Sequence, residues 1–447
     1  MNYRLFLIKI YRNFFTPAKG FKKWEKHLNK TQWLSLTELN ELQEAKLKKL
    51  LLYSIKNVAI FSDIVGKMDL NWSAKEILDK FPITDKSFYR KANEKCLSKN
   101  APTYEYHKSS TSGSTGESFY FYLDVNRQGW GEAAKYRTDT FAETMPHHSR
   151  ASLWGASFDN YGNKGIKIKI RNFLTPFIFL SSYDLSIESI MRYVAILKKE
   201  KPRMLVSYPT PLIELADYCK KNNIHFPFLR SIICSSEQLF DFQRKIIEDT
   251  FVVPVFNRYG SREFGSIAQE CNCHNGLHVN IERMYVEILN DKNEPCKEGE
   301  IGQLVITDLD NKVMPLIRYR IGDLAAWSNM KKCACGRGLP LLEKVEGRAF
   351  DVIRTPNGQV ISGTFWTLLI RYVSHEIKSF QVVQNEIEKI NIKIEMIKGR
   401  ELSKEKMDIL LSKIKEKDNE LKVNVQFCEK IELTRSGKRR FVVSSIK

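Results

Sequence analysis

The stretch Ser109-Ser-Thr-Ser-Gly-Ser-Thr-Gly-Glu-Ser118, running into Phe119-Tyr-Phe-Tyr122, decides how the rest of the chain is read. Glycines and small hydroxyl residues at this density let backbone N–H groups close around phosphate oxygens, while Ser and Thr hydroxyls add donors. The aromatic run that follows reads as a strand. A nucleoside triphosphate is the ligand this chemistry fits. The segment is not a Walker loop, because the lysine of G-x-x-x-x-G-K-[ST] is absent. Taken alone it reads equally well as a flexible linker, so its meaning depends on its surroundings.

Those surroundings are globular. The 447 residues are 43% hydrophobic and 28% charged, with Gly and Pro at only 36 positions, which excludes disorder, collagen-like repeats and low complexity. A chain of this length exceeds one hydrophobic core and implies two or three domains. The excess of 71 Lys and Arg over 52 Asp and Glu, a net +19, favours an anionic partner such as a nucleotide, a nucleic acid or an acidic membrane surface. No run approaches the ~20 apolar residues of a membrane-spanning helix, and no secretory signal pattern opens the chain. A reducing cytoplasm is the expected setting, with a peripheral position at the inner membrane face as the other possibility. The nine cysteines then read as buried thiols or metal ligands rather than a disulfide framework.

Working outward from the loop, residues 1–35 form a basic amphipathic segment. The first 30 carry eight Lys and Arg against Glu25, and Phe6, Leu7, Ile10 and Phe14 share one helical side while Lys9, Arg12 and Asn13 share the other. Such a helix either docks on the protein's own body or lies on a membrane surface. From Thr37 to Ile60 the spacing predicts one long amphipathic helix. Between Thr103 and Ser207, strands at Ser118–Leu123 and Ala151–Trp154 alternate with helices at Gly131–Glu143 and Ser186–Lys198, the pattern of α/β layers. Residues 301–328 are strand-rich. After Gly347 the pattern becomes a βαβ-like set: Val352–Arg354, a helix near Phe365–Val373, Ile390–Ile397, a charged helix at Glu401–Lys415, and Val423–Phe427. The expected division is 1–348 and a small domain at 349–447.

Further landmarks follow the loop in order: Ser235-Ser-Glu237 after an apolar strand, Asn257-Arg-Tyr-Gly-Ser-Arg-Glu263, Gly302-Gln-Leu-Val-Ile-Thr307, Pro315-Leu-Ile-Arg-Tyr-Arg-Ile-Gly-Asp323, Glu346-Gly-Arg348, and Thr434-Arg-Ser-Gly-Lys-Arg-Arg440. This series resembles the adenylate-forming enzymes, specifically the branch of phenylacetate–CoA ligases, CapK-like proteins and coenzyme F390 synthetases, from about residue 40 to the C-terminus. The resemblance implies an α/β fold: a large N-terminal adenylate-forming domain of layered sheets and helices, plus a small mobile α+β C-terminal domain.

The resemblance also assigns roles, which the residue chemistry supports. Ser112, Gly113, Ser114, Thr115 and Gly116 cradle ATP phosphates, and Ser236, Glu237, Tyr259 and Gly260 complete the nucleotide and acyl surroundings. Glu263 is a hard oxygen ligand suited to Mg²⁺. Asp323 can accept from ribose hydroxyls, and Arg348 offers a planar fork of donors to ribose or phosphate. Lys438 is the small-domain lysine that stabilises charge during adenylation, although a basic tail would look the same by charge alone. The chain departs from the family at two places. Phe350 stands where Gly-Arg-x-Asp-Asp has its first aspartate, and Glu117 follows the loop where many relatives have lysine or proline nearby.

A second constellation is Cys271-Asn-Cys-His-Asn-Gly-Leu-His278 with Cys333-Ala-Cys335. Two soft-ligand clusters separated by strand-rich sequence suit a closed tetrahedral Zn²⁺ site, and reduced buried thiols are the plainer reading. Similarity to zinc-bearing relatives selects Cys271, His278, Cys333 and Cys335, with Cys273 and His274 as alternates.

The expected function is ATP-dependent activation of a small-molecule carboxylate to an acyl-adenylate, then transfer to CoA, a carrier protein or an amino sugar. The CapK-like resemblance links the last two to surface-polysaccharide assembly. An adenylyltransferase of the F390 synthetase type is the alternative within enzymes. A zinc-containing nucleic-acid-binding protein is the alternative outside them, but Glu263 to Glu287 holds four acids and only one base, so no nucleic-acid partner is expected.

Overall fold

The computed structural model describes residues 20–65, 69, 71–112, 118–145, 148–155, 177–182, 185–348, 353–358, 360–361, 365–366, 369–370, 373–374, 376–432 and 440–446. The described helices are α1 (Phe21–Thr31), α2 (Leu36–Asn57), α3 (Ala59–Val65), α4 (Ala74–Leu78), α5 (Lys86–Ala92), α6 (Asn126–Phe141), α7 (Ile187–Glu200), α8 (Pro209–Lys221), α9 (Asp241–Phe251) and α10 (Lys404–Lys415).

The single helix expected over Thr37–Ile60 is two. Ser35 and Glu38 form a reciprocal capping box that starts α2, and Val58 turns extended and bridges to Ser98 before α3 begins. A β-branched residue that finds a strand partner ends the helix, although the apolar spacing continues through it. In the N-terminal segment, α1 is docked. Phe21 and Leu28 are buried, and Phe21 packs edge-on to Tyr136 at 5.3 Å. Residues 1–19 lie outside the described residues. No described helix is long and apolar enough to cross a membrane.

Strands β1 (Tyr106–Ser112) and β2 (Ser118–Asp124) form an antiparallel hairpin. The main sheet takes β3 (Arg150–Trp154), β4 (Phe177–Ser181), β5 (Met204–Ser207), β6 (Ser231–Ser235), β7 (Val255–Ser261), β8 (Gly265–Glu270), β9 (Leu277–Val279), β10 (Met284–Leu289), β11 (Gly302–Asp308), β12 (Tyr319–Trp327) and β13 (Leu341–Arg348). Its order is β10-β11-β12-β13-β9-β8-β7-β6-β5-β3-β4. The half from β7 to β4 is parallel and the half from β7 to β10 is antiparallel. Strands β5 and β6 are buried at every position, as expected for parallel strands covered on both faces. One face packs Leu153, Leu205, Ile232 and Val255 under α7, α8 and α9. The other carries Met204, Val206, Ile233 and Phe256 beside Trp154 and the end of α6 at Ala142.

The C-terminal part pairs β14 (Ile353–Arg354) with β15 (Val360–Ile361), and then β16 (Ile377–Glu386), β17 (Lys389–Met396), β18 (Lys422–Phe427) and β19 (Val442–Ser444) form a sheet ordered β18-β17-β16-β19. Strands β17 and β18 run parallel across α10, a βαβ unit, with Ile390, Ile392, Leu410 and Ile414 in a common core. Strand β16 pairs with both β17 and β19 and has no counterpart among the strands the sequence predicts. Of residues 365–373, the described positions 365, 366, 369, 370 and 373 are helical.

Candidate active site and metal cluster

Strand β7 is where the main sheet changes from parallel to antiparallel, and its hairpin into β8 carries the Tyr-Gly-Ser-Arg-Glu motif. A Cβ on Gly260 would lie 2.5 Å from the Gly265 carbonyl oxygen, so only glycine permits this turn, and Gly265 itself sits at φ +72°. The register shifts between Tyr259 and Gly260, a bulge that re-aims the residues after it. Glu263 is consequently buried, at 3% exposure, rather than a surface carboxylate. Its Oε1 lies 3.4 Å from the Tyr319 hydroxyl and 3.7 Å from Lys86 Nζ. Burial and the neighbouring Glu263 push the Tyr319 hydroxyl well above its ordinary range, so Tyr319 keeps its proton and donates it to Glu263.

Tyr259 Oη donates to Asp323 Oδ2 at 2.5 Å. Asp323 is in turn the register partner of Arg348, across β12 and β13. Arg262 donates to the Ser110 carbonyl at 3.1 Å, which ties the hairpin to the end of β1, where Ser112 pairs with Ser118. Ser236 takes a left-handed φ of 67° just past β6, and Glu237 Oε2 accepts the Thr210 N–H at 3.1 Å. The structure thus brings Glu263, Tyr259, Gly260, Asp323, Arg348, Ser236 and Glu237 to the carboxyl ends of the central strands and the switch beside them. Open α/β sheets bind ligands at such a place. Gly113, Ser114, Thr115, Gly116, Phe350 and Lys438 lie outside the described residues.

Lys86, Tyr319 and Thr210 carried no role in the sequence reading. Lys86 reaches Glu263 because Thr84 bridges to Tyr319 and exchanges backbone bonds with Arg318 and Arg320, while Asp85 caps α5 by accepting from the Phe88 N–H. The sequence signal was the Asp85 cap alone. The Lys86–Glu263 contact spans 177 residues and rests on the Thr84–Tyr319 pairing across 235, and such contacts leave no local pattern.

The Cys/His cluster is assembled by sheet register. His278 on β9 faces Gln269 of β8 and Leu341 of β13, which brings Cys271 next to the turn holding Cys333 and Cys335. Cys271 and Cys333 Sγ atoms are 3.6 Å apart, and Cys335 Sγ is 3.3 Å from His278 Nε2. All four donor atoms lie within 4.8 Å of one another. His278 Nδ1 donates to the Leu339 carbonyl at 3.3 Å, which aims Nε2 at the thiols. Burial lowers His278 to about 4, so its ring is neutral at neutral pH. Two thiolates around a metal with ~2.3 Å bonds would sit about 3.8 Å apart, so this donor set fits tetrahedral Zn²⁺. Cys273 and His274 are not in the cluster. His274 instead faces Glu270 at 3.4 Å and stacks on Phe256.

Comparison with known proteins agrees with the geometry. Residues 353–445 match the CapK C-terminal domain family. Protein CapK of Staphylococcus aureus is 27% identical over 428 residues, covering 92% of this chain and 90% of that protein. The phenylacetate-coenzyme A ligase of Thermus thermophilus is 27% identical over 168 residues, 36% of this chain and 38% of the ligase. The crystal structure of 2-hydroxyisobutyryl-CoA ligase, in the postadenylation state with 2-HIB-AMP, superposes with a TM-score of 0.72 over 93% of this chain and 92% of its own, at 17% identity. The chain is similar to CapK over nearly its whole length and to the phenylacetate–CoA ligases over part of it, and it has the fold of an adenylate-forming ligase. For this ligase the nucleic-acid-binding alternative is not favoured: its Cys/His cluster is mostly buried within the ligase fold.

Proposed function

We propose that the ligase joins a small-molecule carboxylate to the α-phosphate of ATP, releases pyrophosphate, and passes the acyl group to CoA. The observation that carries this reading is the grouping of Tyr259 and Asp323, at 2.5 Å, beside the buried Glu263 at the sheet's switch point. In this reading the oxygens of Asp323 receive the ribose hydroxyls, and the fork of Arg348 faces the ribose or phosphates. Ser112, Gly113, Ser114, Thr115 and Gly116 surround the phosphate oxygens with N–H and hydroxyl donors. Glu263 would hold Mg²⁺, which supplies charge neutralisation at the phosphates when bound. Lys438 would bring a further cation from the small domain during adenylation. A carrier protein or an amino sugar is the alternative acceptor, and a role in surface-polysaccharide assembly would follow from either.

Cys271, His278, Cys333 and Cys335 would hold one structural Zn²⁺. It would add folding free energy and take no part in the reaction. Cys333→Ser is expected to lower both the zinc content, from one per chain, and the melting temperature. Residues 1–30 would touch anionic membrane through their basic and aromatic side chains, and vesicle binding that weakens with salt is the expected result.

The test is ATP–pyrophosphate exchange by the full-length protein over a panel of carboxylates, with CoA and then amines added to any that respond. Glu263→Gln and Lys438→Ala should each lose about 10²–10³-fold in exchange, the scale of one electrostatic stabiliser. Exchange that stays at wild-type rate in both variants would refute the assignment of the two residues.

A further inference from the structure

Helix α6 carries an unbalanced group of charges on the sheet face opposite α7, α8 and α9. Side chains alternate along β3, so Arg150 and Ser152 project to the same face as Trp154, while Ala151 and Leu153 join the apolar core on the other. On β7, Arg258 follows Phe256 by two positions and shares its face. Register sets Arg258 beside Ser235, one residue short of Ser236 on β6 and of Tyr259 on its own strand. Tyr259 and Arg258 leave the strand on opposite sides, so this face lies next to the nucleotide-binding end without being part of it. Trp154, whose ring centroid is 4.1 Å from that of Tyr208, stands at the same level.

Asp139 of α6 accepts from Arg150 and from Arg258, each at 2.5 Å, and is fully buried. The Nε of Arg258 also donates to Gln269. Lys135, one helical turn before Asp139, adds a third cation to the same face. The carboxylates that act on Lys135 are Asp139 and, beyond it, Glu132. Among the described residues, three cations thus face two carboxylates, and Arg150 and Arg258 are only 14% and 10% exposed. Burying net charge without a counter-ion is costly, so such a group is most stable with an anion completing it. The Lys135 side chain is solvent-accessible, so the cluster opens to solvent and an anion can reach it. Repulsion from Arg150 lowers the Lys135 amine to about 8, as expected of a cation held beside other cations.

We propose that the carboxylate activated by this ligase carries a second anionic group, a carboxylate or a phosphate, bound by Lys135, Arg150 and Arg258 while its first carboxylate reaches the ATP at the strand ends. This rests on the acyl-adenylate reading. The probes are phenylacetate, 4-carboxyphenylacetate and 4-phosphonophenylacetate, compared by pyrophosphate exchange with the full-length protein. At least one of the two dianionic acids is expected to show a KM roughly 10-fold or more below that of phenylacetate, and the choice between them identifies the anion. Lys135→Gln leaves the buried Asp139 pairs in place and should raise the KM of the preferred dianion, shrinking that ratio. Equal KM values for all three acids in the wild type would overturn the proposal. No exchange with any acid would count against the acyl-adenylate reading instead, and calorimetric titration of the same three acids would then decide the cluster: tighter binding of a dianion supports it, equal binding overturns it.

Discussion

Two buried charge clusters hang from the same helix, anchored two residues apart at Arg137 and Asp139, and they are built to opposite rules. Arg137 meets Glu282 in a one-to-one pair, with Arg137 also donating to Asn280 and to the Leu28 carbonyl, and Thr31 donating to Glu282 at 2.8 Å. Both side chains are at most 2% exposed, and the result is a lock that fastens α1 to the body. Two residues on, Asp139 serves two arginines, with Lys135 close by. The balanced cluster is neutral as it stands, whereas the unbalanced one keeps an excess positive charge that a ligand's anion could offset. Neutrality therefore separates a structural ion pair from a candidate binding group, although both are buried on one helix.

The largest effect should come from breaking the balanced pair. Arg137→Ala leaves Glu282 buried without a counter-charge, and about 3–5 kcal/mol of stability should be lost in urea unfolding, because a lone buried charge costs more than the pair contributes. Arg150→Met should cost less, about 1–2 kcal/mol, since Asp139 keeps Arg258. A loss at Arg150 as large as that at Arg137 would erase the distinction between the clusters.

Acid titration sharpens it further. Burial alone would raise Asp139 and Glu282, but Arg150 with Arg258, and Arg137, outweigh it and hold both below the ordinary carboxylate range. Their folded-state values are depressed, so the unfolded chain takes up these protons first. The stability they contribute is present above about pH 4 and is lost as pH falls through the folded values. Arg137→Met should flatten the decline of the urea midpoint below pH 4, a smaller change than either substitution makes at neutral pH. Smallest is the response of Lys135: removing the Arg150 charge should move its amine up from about 8 toward the ordinary lysine range, readable by NMR of the methylated protein.

The same contrast explains what the sequence disclosed. Glu263, Tyr259 and Asp323 were legible because a tight hairpin and an ordered strand impose short, dense motifs, and Gly260 is required there by a 2.5 Å approach. The two Cys/His clusters were visible because soft ligands are rare, while the choice of Cys271, His278, Cys333 and Cys335 over Cys273 and His274 came from the resemblance to zinc-bearing relatives. Lys86, Thr210 and the Asp139 cluster were not. Arg258 meets Asp139 across 119 residues and lies within the quoted Asn257–Glu263 motif, where its neighbours Tyr259 and Glu263 drew the chemical reading. The break at Val58 was hidden for a similar reason: its strand partner Ser98 is 40 residues away.

In the proposed reaction the protein cleaves ATP between its α- and β-phosphates to make an acyl-adenylate. Phosphorus-31 NMR of a reaction containing ATP, Mg²⁺, a responsive carboxylate and no acceptor tests it most directly. Acyl-AMP and pyrophosphate, appearing only when the carboxylate is present, are the expected products. ADP and inorganic phosphate, formed in a carboxylate-dependent way, would contradict it.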